Sequence, residues 1–401
     1  MTTATQATAS DVEATPPTAG ATFAELGVAE DLVRALDRAG ILEPFPIQEL
    51  ALPDILAGRD VCGKARTGSG KTLAFGIPLI QHAERGTPRK PRSLILVPTR
   101  ELARQITGVL APYARVRGLK LCAVYGGASM SQQIQAFRAS VDIVIATPGR
   151  LNDLLDRNEV SVAEVSQVVL DEADQMADMG FLPQVQRILS RLQGRAQTLL
   201  FSATLDDAVS VLARRYQHDP VRHEVDEATE ATDAVEERFI RVELNEKVRT
   251  AAQLGKESGR TLIFSRTQRG AERLAKQLQM EGVSAACIHG GLSQSQRDRV
   301  LGAFAKGTIP VLVATNLAAR GLHIEAIDLV IHYDLPDDYK TYVHRSGRTA
   351  RAGATGQVVT LVLPHERRDG DRLQRGPVVQ RPLEERITSF HGRRTAPWRS
   401  R

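Results

Sequence analysis

Val169-Leu170-Asp171-Glu172-Ala173-Asp174 sets an apolar run directly against three carboxylates. So short a run bounded by charge fits a strand buried on both faces, delivering its acids at the carboxyl end. Upstream, Ala65-Arg66-Thr67-Gly68-Ser69-Gly70-Lys71-Thr72 departs from the phosphate-loop pattern G-x-x-x-x-G-K-[ST] only at Ala65. Glycines at 68 and 70 let backbone amides turn toward phosphate oxygens, and the helix expected next presents its positive end. Lys71 would reach the β- and γ-phosphates of ATP, and Thr72 would hold Mg2+. Downstream, Tyr342-Val343-His344-Arg345-Ser346-Gly347-Arg348-Thr349-Ala350-Arg351 repeats arginine at every third position, a spacing that predicts one face of a helix. A phosphate cradle, strand-end acids and closely spaced arginines are together the parts that ATP hydrolysis needs.

The acidic run is one of many like it. Short Val/Ile/Leu-rich stretches alternate with amphipathic helical patterns, which predicts βαβ units, parallel buried strands and the α/β class. In the first half they are Asp60–Gly63, Leu94–Pro98, Leu121–Tyr125, Ile143–Ala146, Val168–Leu170 and Thr198–Phe201. In the second half they are Thr261–Phe264, Ala285–Ile288, Val311–Ala314, Leu329–Ile331 and Val358–Leu363. Between the sets lies Asp226–Val235, acidic and aperiodic, which reads as a linker. The expected division is a disordered tail over 1–22, domains over 23–225 and 236–365 joined by 226–235, and an Arg-rich disordered tail over 366–401. Nearly every run ends in polar or glycine residues, such as Pro98-Thr99-Arg100, Gly126-Gly127, Thr147-Pro148-Gly149-Arg150 and Ser202-Ala203-Thr204. Open α/β sheets bind ligands beyond the carboxyl ends of their strands. Two such sheets facing one another would line a single cleft.

Composition narrows the class further. A chain of 401 residues is too long for one comfortable core, and 42% hydrophobic with 25% charged residues is ordinary for a globular protein. Cys62, Cys122 and Cys287 are far apart and lack metal-ligand spacing, which fits reduced thiols and a cytoplasmic location. No apolar run reaches the roughly 20 residues of a membrane span. Residues 366–401 hold ten Arg against five Asp or Glu, as much net charge as the whole chain's +5, so residues 1–365 are neutral.

Asp171 would bind Mg2+, directly or through water, while Glu172 would orient and deprotonate the attacking water. The plainer alternative is an acidic cluster capping the next helix. Arg348 and Arg351 would act as arginine fingers, elements worth roughly 10³–10⁵ in rate; the alternative is a solvated basic face.

The ordered set resembles the DEAD-box ATP-dependent RNA helicases, bacterial type, over about Phe23 to Pro364. Pro98-Thr99-Arg100-Glu101-Leu102, Thr147-Pro148-Gly149-Arg150 and Ser202-Ala203-Thr204 match motifs of that family's first domain. Leu262-Ile263-Phe264, His289-Gly290-Gly291 and Ala314-Thr315-Asn316-Leu317-Ala318-Ala319-Arg320-Gly321-Leu322 are similar to those of its second. The resemblance implies two tandem RecA-like parallel-sheet domains that close on ATP and single-stranded RNA together. It also implies that Ser202, Thr204, Asp174 and His344 couple hydrolysis to closure. By the same resemblance Thr99, Arg100, Gly127, Thr147, Arg150, Gln294, Arg297 and Thr315 contact the RNA sugar-phosphate backbone, and Ile41 and Gln48 meet the adenine.

Four positions depart from the family pattern. Ile41 stands where an aromatic is usual, Phe45 where a hydroxyl residue would brace the phosphate loop, and Asn316 and His323 where acids are usual. Gln48 remains to pair with the adenine edge, and the acid missing at 323 is the one expected to hold the ribose. The first expectation is therefore an RNA-stimulated ATPase that opens short duplexes or remodels ribonucleoproteins. An ATP-gated RNA clamp with little unwinding is the alternative, and a DNA-translocating helicase is disfavoured by the fit to DEAD-box motifs. A monomer is expected, with ribosomal and RNA-decay complexes both open as settings.

Overall fold

The structure, a computed structural model, describes residues 20–65, 68–205, 207–225, 235–319, 327–350 and 355–375. The chain divides into two compact units, 1–225 and 226–401. The first is built on β1 (Val61–Lys64), β2 (Ser93–Leu96), β3 (Leu121–Val124), β4 (Ile143–Ala146), β5 (Gln167–Asp171), β6 (Gln197–Ser202) and β7 (Val221–Glu224). These form one sheet in the order β3-β4-β2-β5-β6-β1-β7, and every neighbouring pair is parallel. The second contains β8 (Val235–Arg241), β9 (Thr261–Ser265), β10 (Ala285–Ile288), β11 (Val311–Thr315), β12 (Leu329–His332) and β13 (Gly356–Val362). Its order is β10-β11-β9-β12-β13-β8, again parallel throughout.

Parallel strands need crossovers, and the crossover helices cover both faces of each sheet. The strand period of two then sorts alternate side chains into opposite cores. Ile95, Val169 and Leu199 enter one buried cluster, while Leu94, Leu96, Val168 and Leu200 enter the other. In the second unit Ile263 and Val313 lie on one face, and Leu262, Phe264 and Leu312 on the other. Each such side chain contributes about 1.5–3 kcal/mol of burial. Gly63 is required where it stands, because a Cβ there would lie 2.6 Å from the Phe201 ring.

Two strands lie outside the apolar runs read from the sequence. Both β7 and β8 are sheet edges, paired on one side only, and β7 alternates half-buried with exposed residues. A second difference concerns the C-terminal segment. Arg367–Arg375, read as part of a disordered tail beginning at 366, is a helix with Gly370 and Leu373 buried. Residues 376–401 lie outside the described residues. No described helix is long and apolar enough to cross a membrane.

Candidate nucleotide and nucleic-acid sites

The sheet order divides the first unit's functional residues into two neighbourhoods. Strands β1, β6 and β5 are neighbours, and their carboxyl ends carry the phosphate loop, Ser202 and the acidic cluster. Strands β3, β4 and β2 are neighbours on the other side, and theirs carry Gly127, Thr147 and Thr99-Arg100.

In the first neighbourhood Gly68 and Gly70 have φ of 98° and 84°, the left-handed conformation that turns amides inward. Gly70 is the N-cap of the Lys71–His82 helix and offers no capping side chain, and the positive end of the helix dipole lies there. Lys71 is buried, and its Nζ donates to the Ala65 carbonyl at 2.5 Å. Ser69 is buried and Thr72 half-buried beside it; Arg66 and Thr67 lie outside the described residues. At the end of β5, Asp171 and Glu172 are 3% and 7% exposed. Glu172 adopts φ 51° and ψ 49°, a left-handed conformation costing a non-glycine residue about 1–3 kcal/mol. That turn starts the Ala173–Asp178 helix at once and keeps both carboxylates at the strand end. Burial, then the Glu172 carboxylate, raises the Asp171 pKa above the usual carboxylate range, and the Lys71 charge partly offsets this.

A carboxylate and a threonine hydroxyl are hard-oxygen donors, which suit Mg2+ arriving with nucleotide phosphates. Among the described residues no group of three His, Cys, Asp or Glu could hold a metal ion alone. Asp171 and Thr72 thus fit a shared ion rather than a protein cage.

The residues of this unit expected to couple hydrolysis to closure meet directly. Asp174, 1% exposed, receives the Thr204 amide at 3.2 Å and the Thr204 hydroxyl at 3.3 Å on Oδ2. The Asp174 amide donates to Ser202 Oγ at 3.1 Å. The acidic turn after β5 is thereby tied to the turn after β6.

Gln48 makes two hydrogen bonds within the first unit. It is 0% exposed; Oε1 accepts from the Phe45 amide at 2.9 Å, and Nε2 donates to the Gly70 carbonyl at 2.9 Å. Gln48 is the third residue of the Pro46–Leu56 helix, so its oxygen closes a capping interaction there, and its NH2 group braces the phosphate loop. Phe45 assists: a Cβ on Gly70 would lie 2.9 Å from its ring. The bracing expected of a hydroxyl is thus supplied by an aromatic face and an amide. Ile41 is half-buried against the core of the first unit.

In the second neighbourhood Thr99 and Thr147 are the N-cap residues of the Arg100–Val116 and Pro148–Asp156 helices. The Thr99 hydroxyl accepts from the Leu102 amide at 3.2 Å. Gly127 has φ 85°, and a Cβ there would lie 2.5 Å from an Arg100 guanidinium nitrogen. Arg150 donates to the Ala128 carbonyl and to Gln133 Oε1, both at 3.2 Å, while Gln133 Nε2 donates to the Tyr125 carbonyl. Arg100 and Arg150 stay half-buried, positioned yet reachable.

In the second unit Thr315 ends β11 and is 6% exposed. Gln294 opens the Gln294–Ala305 helix, and Arg297 is buried on it. His344 is half-buried on the Tyr339–Ser346 helix. That helix ends at Ser346, with Gly347 as its C-cap, so Arg345 and Arg348 do not share one helical face as their spacing predicts. Arg345 is 3% exposed, with Nε bonded to Asn316 Oδ1 at 2.6 Å and Nη1 to the Asp334 carbonyl at 2.7 Å. Its guanidinium lies 5.1 Å from the Phe264 ring centroid, and burial lowers its pKa to about 10. Arg345 is a strut tying the turn after β11 to the end of β12. Arg348 is buried in the turn beyond the helix; Arg351 and His323 lie outside the described residues.

Residues 45–211 match the DEAD/DEAH box helicase family, and residues 243–353 match the helicase conserved C-terminal domain. The DEAD-box ATP-dependent RNA helicase CshA of Geobacillus kaustophilus is 38% identical over 347 residues, 86% of this chain and 74% of that protein. The chain belongs to the DEAD-box helicase family. The CshA protein of Streptococcus pneumoniae serotype 4 is 41% identical over 346 residues, 86% of this chain and 66% of that protein. The chain spans only 30% of a Gibberella zeae pre-mRNA-processing helicase that is also 41% identical. Among solved structures, S. cerevisiae Dbp5 bound to RNA and ADP BeF3 is similar, with a TM-score of 0.78 at 30% identity over 85% of this chain and 89% of that one. The fold is accordingly that of two tandem RecA-like units, as the DEAD-box motifs imply.

Within this DEAD-box chain the structure gathers Lys71 with Asp171 and Glu172, and Asp174 with Ser202 and Thr204. It withholds Gln48 from solvent and separates Arg345 from Arg348. Sequence reasoning missed the braces, namely Phe45 on Gly70, Gln133 under Arg150, and the Asn316–Arg345–Asp334 strut. Only the first carried a readable signal, a glutamine three residues into a helix that follows a proline-flanked entry.

Proposed function

We propose that the chain is an RNA-stimulated ATPase that couples ATP binding and hydrolysis to local opening of RNA duplexes or remodelling of ribonucleoprotein. The observation that carries this reading is the Asp171–Glu172 pair, buried beside Lys71 on the sheet that also presents Thr99, Arg100, Gly127, Thr147 and Arg150. Backbone-directed threonines and arginines give affinity without sequence choice, which suits a general RNA remodeller.

The amides of the phosphate loop and Lys71 hold the phosphates, and Glu172 orients a water and takes its proton. Thr72 and Asp171 would hold Mg2+, whose chemistry is to neutralise charge developing on the phosphate oxygens. Arg348 and Arg351 are the hydrolytic arginines, and Gln294, Arg297 and Thr315 contact the nucleic-acid backbone. Asp174, Ser202, Thr204 and His344 pass the state of the phosphate site to the strand-binding residues. Ile41 and Gln48 meet the adenine, and Gln48 also braces the phosphate loop. Three free cysteines support a reducing, cytoplasmic setting for a monomer, with ribosomal and RNA-decay complexes both open as partners.

ATP turnover measured alone, with single-stranded RNA and with single-stranded DNA, together with opening of a short RNA duplex, tests this. RNA-selective stimulation with duplex opening is expected. Equal stimulation by DNA would sink the RNA assignment, and ATP-dependent RNA retention without opening would establish the clamp instead.

A further inference from the structure

The Arg367–Arg375 helix lies beyond the family-matched residues 243–353 and contributes to none of the sites above. Its sequence, Arg-Arg-Asp-Gly-Asp-Arg-Leu-Gln-Arg, has one large apolar residue and a glycine near its middle. Isolated helices of this length are marginal in water, and an interior glycine costs about 1 kcal/mol more. Docking is therefore what holds it. A Cβ on Gly370 would lie 2.9 and 3.1 Å from the two Val362 methyls, so the helix backbone rests on the end of β13. Leu373 is 3% exposed and joins Leu335, Tyr342 and Val362 in one buried cluster.

Tyr342 makes this cluster consequential. It sits on the Tyr339–Ser346 helix, three residues before Arg345 and on the same buried side. Its ring stacks at 5.9 Å on both Phe239 and Tyr339 and meets His332 edge-on at 4.9 Å. The seat of the arginine-bearing helix thus has a polar half, the Arg345 strut, and an apolar half that Leu373 completes.

We propose that the Arg367–Arg375 helix seats the arginine-motif helix, making Leu373 a positioning residue for ATP turnover. This rests on the reading of Arg348 as a hydrolytic residue. Losing Leu373 uncovers Tyr342 while the Arg345 strut remains, so Arg348 is displaced rather than removed. A displacement of about 1 Å far from the chemistry can cost 10²-fold in rate.

The competing occupation of this helix is direct RNA contact through Arg368, Arg372 and Arg375, and the two make opposite kinetic predictions. In the full chain, Leu373→Ser should lower kcat at saturating ATP and RNA about 10-fold, well within the effect of misplacement, while half-saturating RNA changes less than about 2-fold. Leu373→Met, which keeps apolar volume, should restore kcat. The Arg368→Gln/Arg372→Gln double variant should leave kcat intact. Circular dichroism and thermal melting are recorded for each variant. If Leu373→Ser fails to fold, Gly370→Ala, which crowds Val362, takes its place and should lower kcat in the same way. Unchanged kcat in the folded variant, or a raised RNA requirement at constant kcat, overturns the proposal. A wild-type chain without RNA-stimulated turnover would instead sink the function on which it rests.

Discussion

The two halves of the first sheet handle their functional residues in opposite ways. At the ends of β5, β6 and β1 Lys71, Asp171, Glu172, Asp174 and Ser202 are buried, and Glu172 stands on a strained backbone. At the ends of β3, β4 and β2 they are two half-buried arginines and two helix N-cap threonines, with Thr99 accepting from the Leu102 amide and Arg150 donating to the Ala128 carbonyl and Gln133. On the proposed function, the difference follows from what each half binds. Proton transfer and charge stabilisation gain from a dry, fixed site, where electrostatic interactions are strong and reorganisation is small. A nucleic-acid backbone is long and solvated, so its partners must stay reachable and need only positive charge and hydroxyls. A sharp division of effects is expected from substitutions in the two halves.

The largest effect belongs to the buried half. Glu172→Gln keeps shape and hydrogen bonding but cannot accept a proton, so turnover should fall about 10²–10⁴-fold while ATP and RNA affinities stay within a few-fold. Wild-type turnover in that variant would end the assignment. Lys71→Ala removes a charged donor worth about 1.5–3 kcal/mol, so ATP should bind roughly 10- to 150-fold more weakly in an equilibrium titration. Asp174→Asn sets an NH2 group among donors from Thr204 and Gln175. Leaving a buried donor unmatched costs about 1–3 kcal/mol, and the readout is ATP consumed per duplex opened, which should rise about 10-fold while hydrolysis falls less. If opening and hydrolysis fell in proportion, Asp174 would belong to the chemistry rather than to the link between halves.

Effects on RNA come next and are smaller. Deleting 376–401 should weaken RNA binding and flatten its salt dependence by about 0.7 in log–log slope for each phosphate no longer neutralised, with kcat at saturating RNA near intact. The cut spares the Arg367–Arg375 helix, whose loss would confound the measurement. Arg150→Ala should act least, flattening the slope by about 0.7 with a modest loss of affinity. A strong loss of turnover in Arg150→Ala at saturating RNA would erase the division between halves.

Much of this was legible in the chain itself. The interior strands announce themselves because both faces are covered, so β2, β4 and β11 read as unbroken apolar runs. Edge strands β7 and β8 do not, since Val221-Arg222-His223-Glu224 and Val235-Glu236-Glu237-Arg238-Phe239-Ile240-Arg241 carry the polar residues their open sides permit. Asp171 and Glu172 were legible because a charged pair ending a buried run has few structural uses. The bracing contacts of Gln48 with Phe45 and Gly70 were not legible, because an amide suits an adenine edge as well as a helix N-terminus. The arginine spacing misled because Gly347 stops the helix between Arg345 and Arg348. The Arg367–Arg375 helix left no stripe to read, as two contacts, at Gly370 and Leu373, hold it.

The sheet order also constrains how the first unit is made. β1, which leads into the phosphate loop, is the earliest strand of its sheet, yet its hydrogen-bonding neighbours are β6 and β7, the latest. Until Gln197–Ser202 and Val221–Glu224 have emerged, β1 has no strand to pair with and the loop has no floor. Pairing so distant in sequence carries a large loop-closure entropy and forms slowly. A nascent chain halted before β6 should expose Val61-Cys62-Gly63 to chaperones and fail to retain an immobilised nucleotide, whereas one released beyond Val225 should capture it.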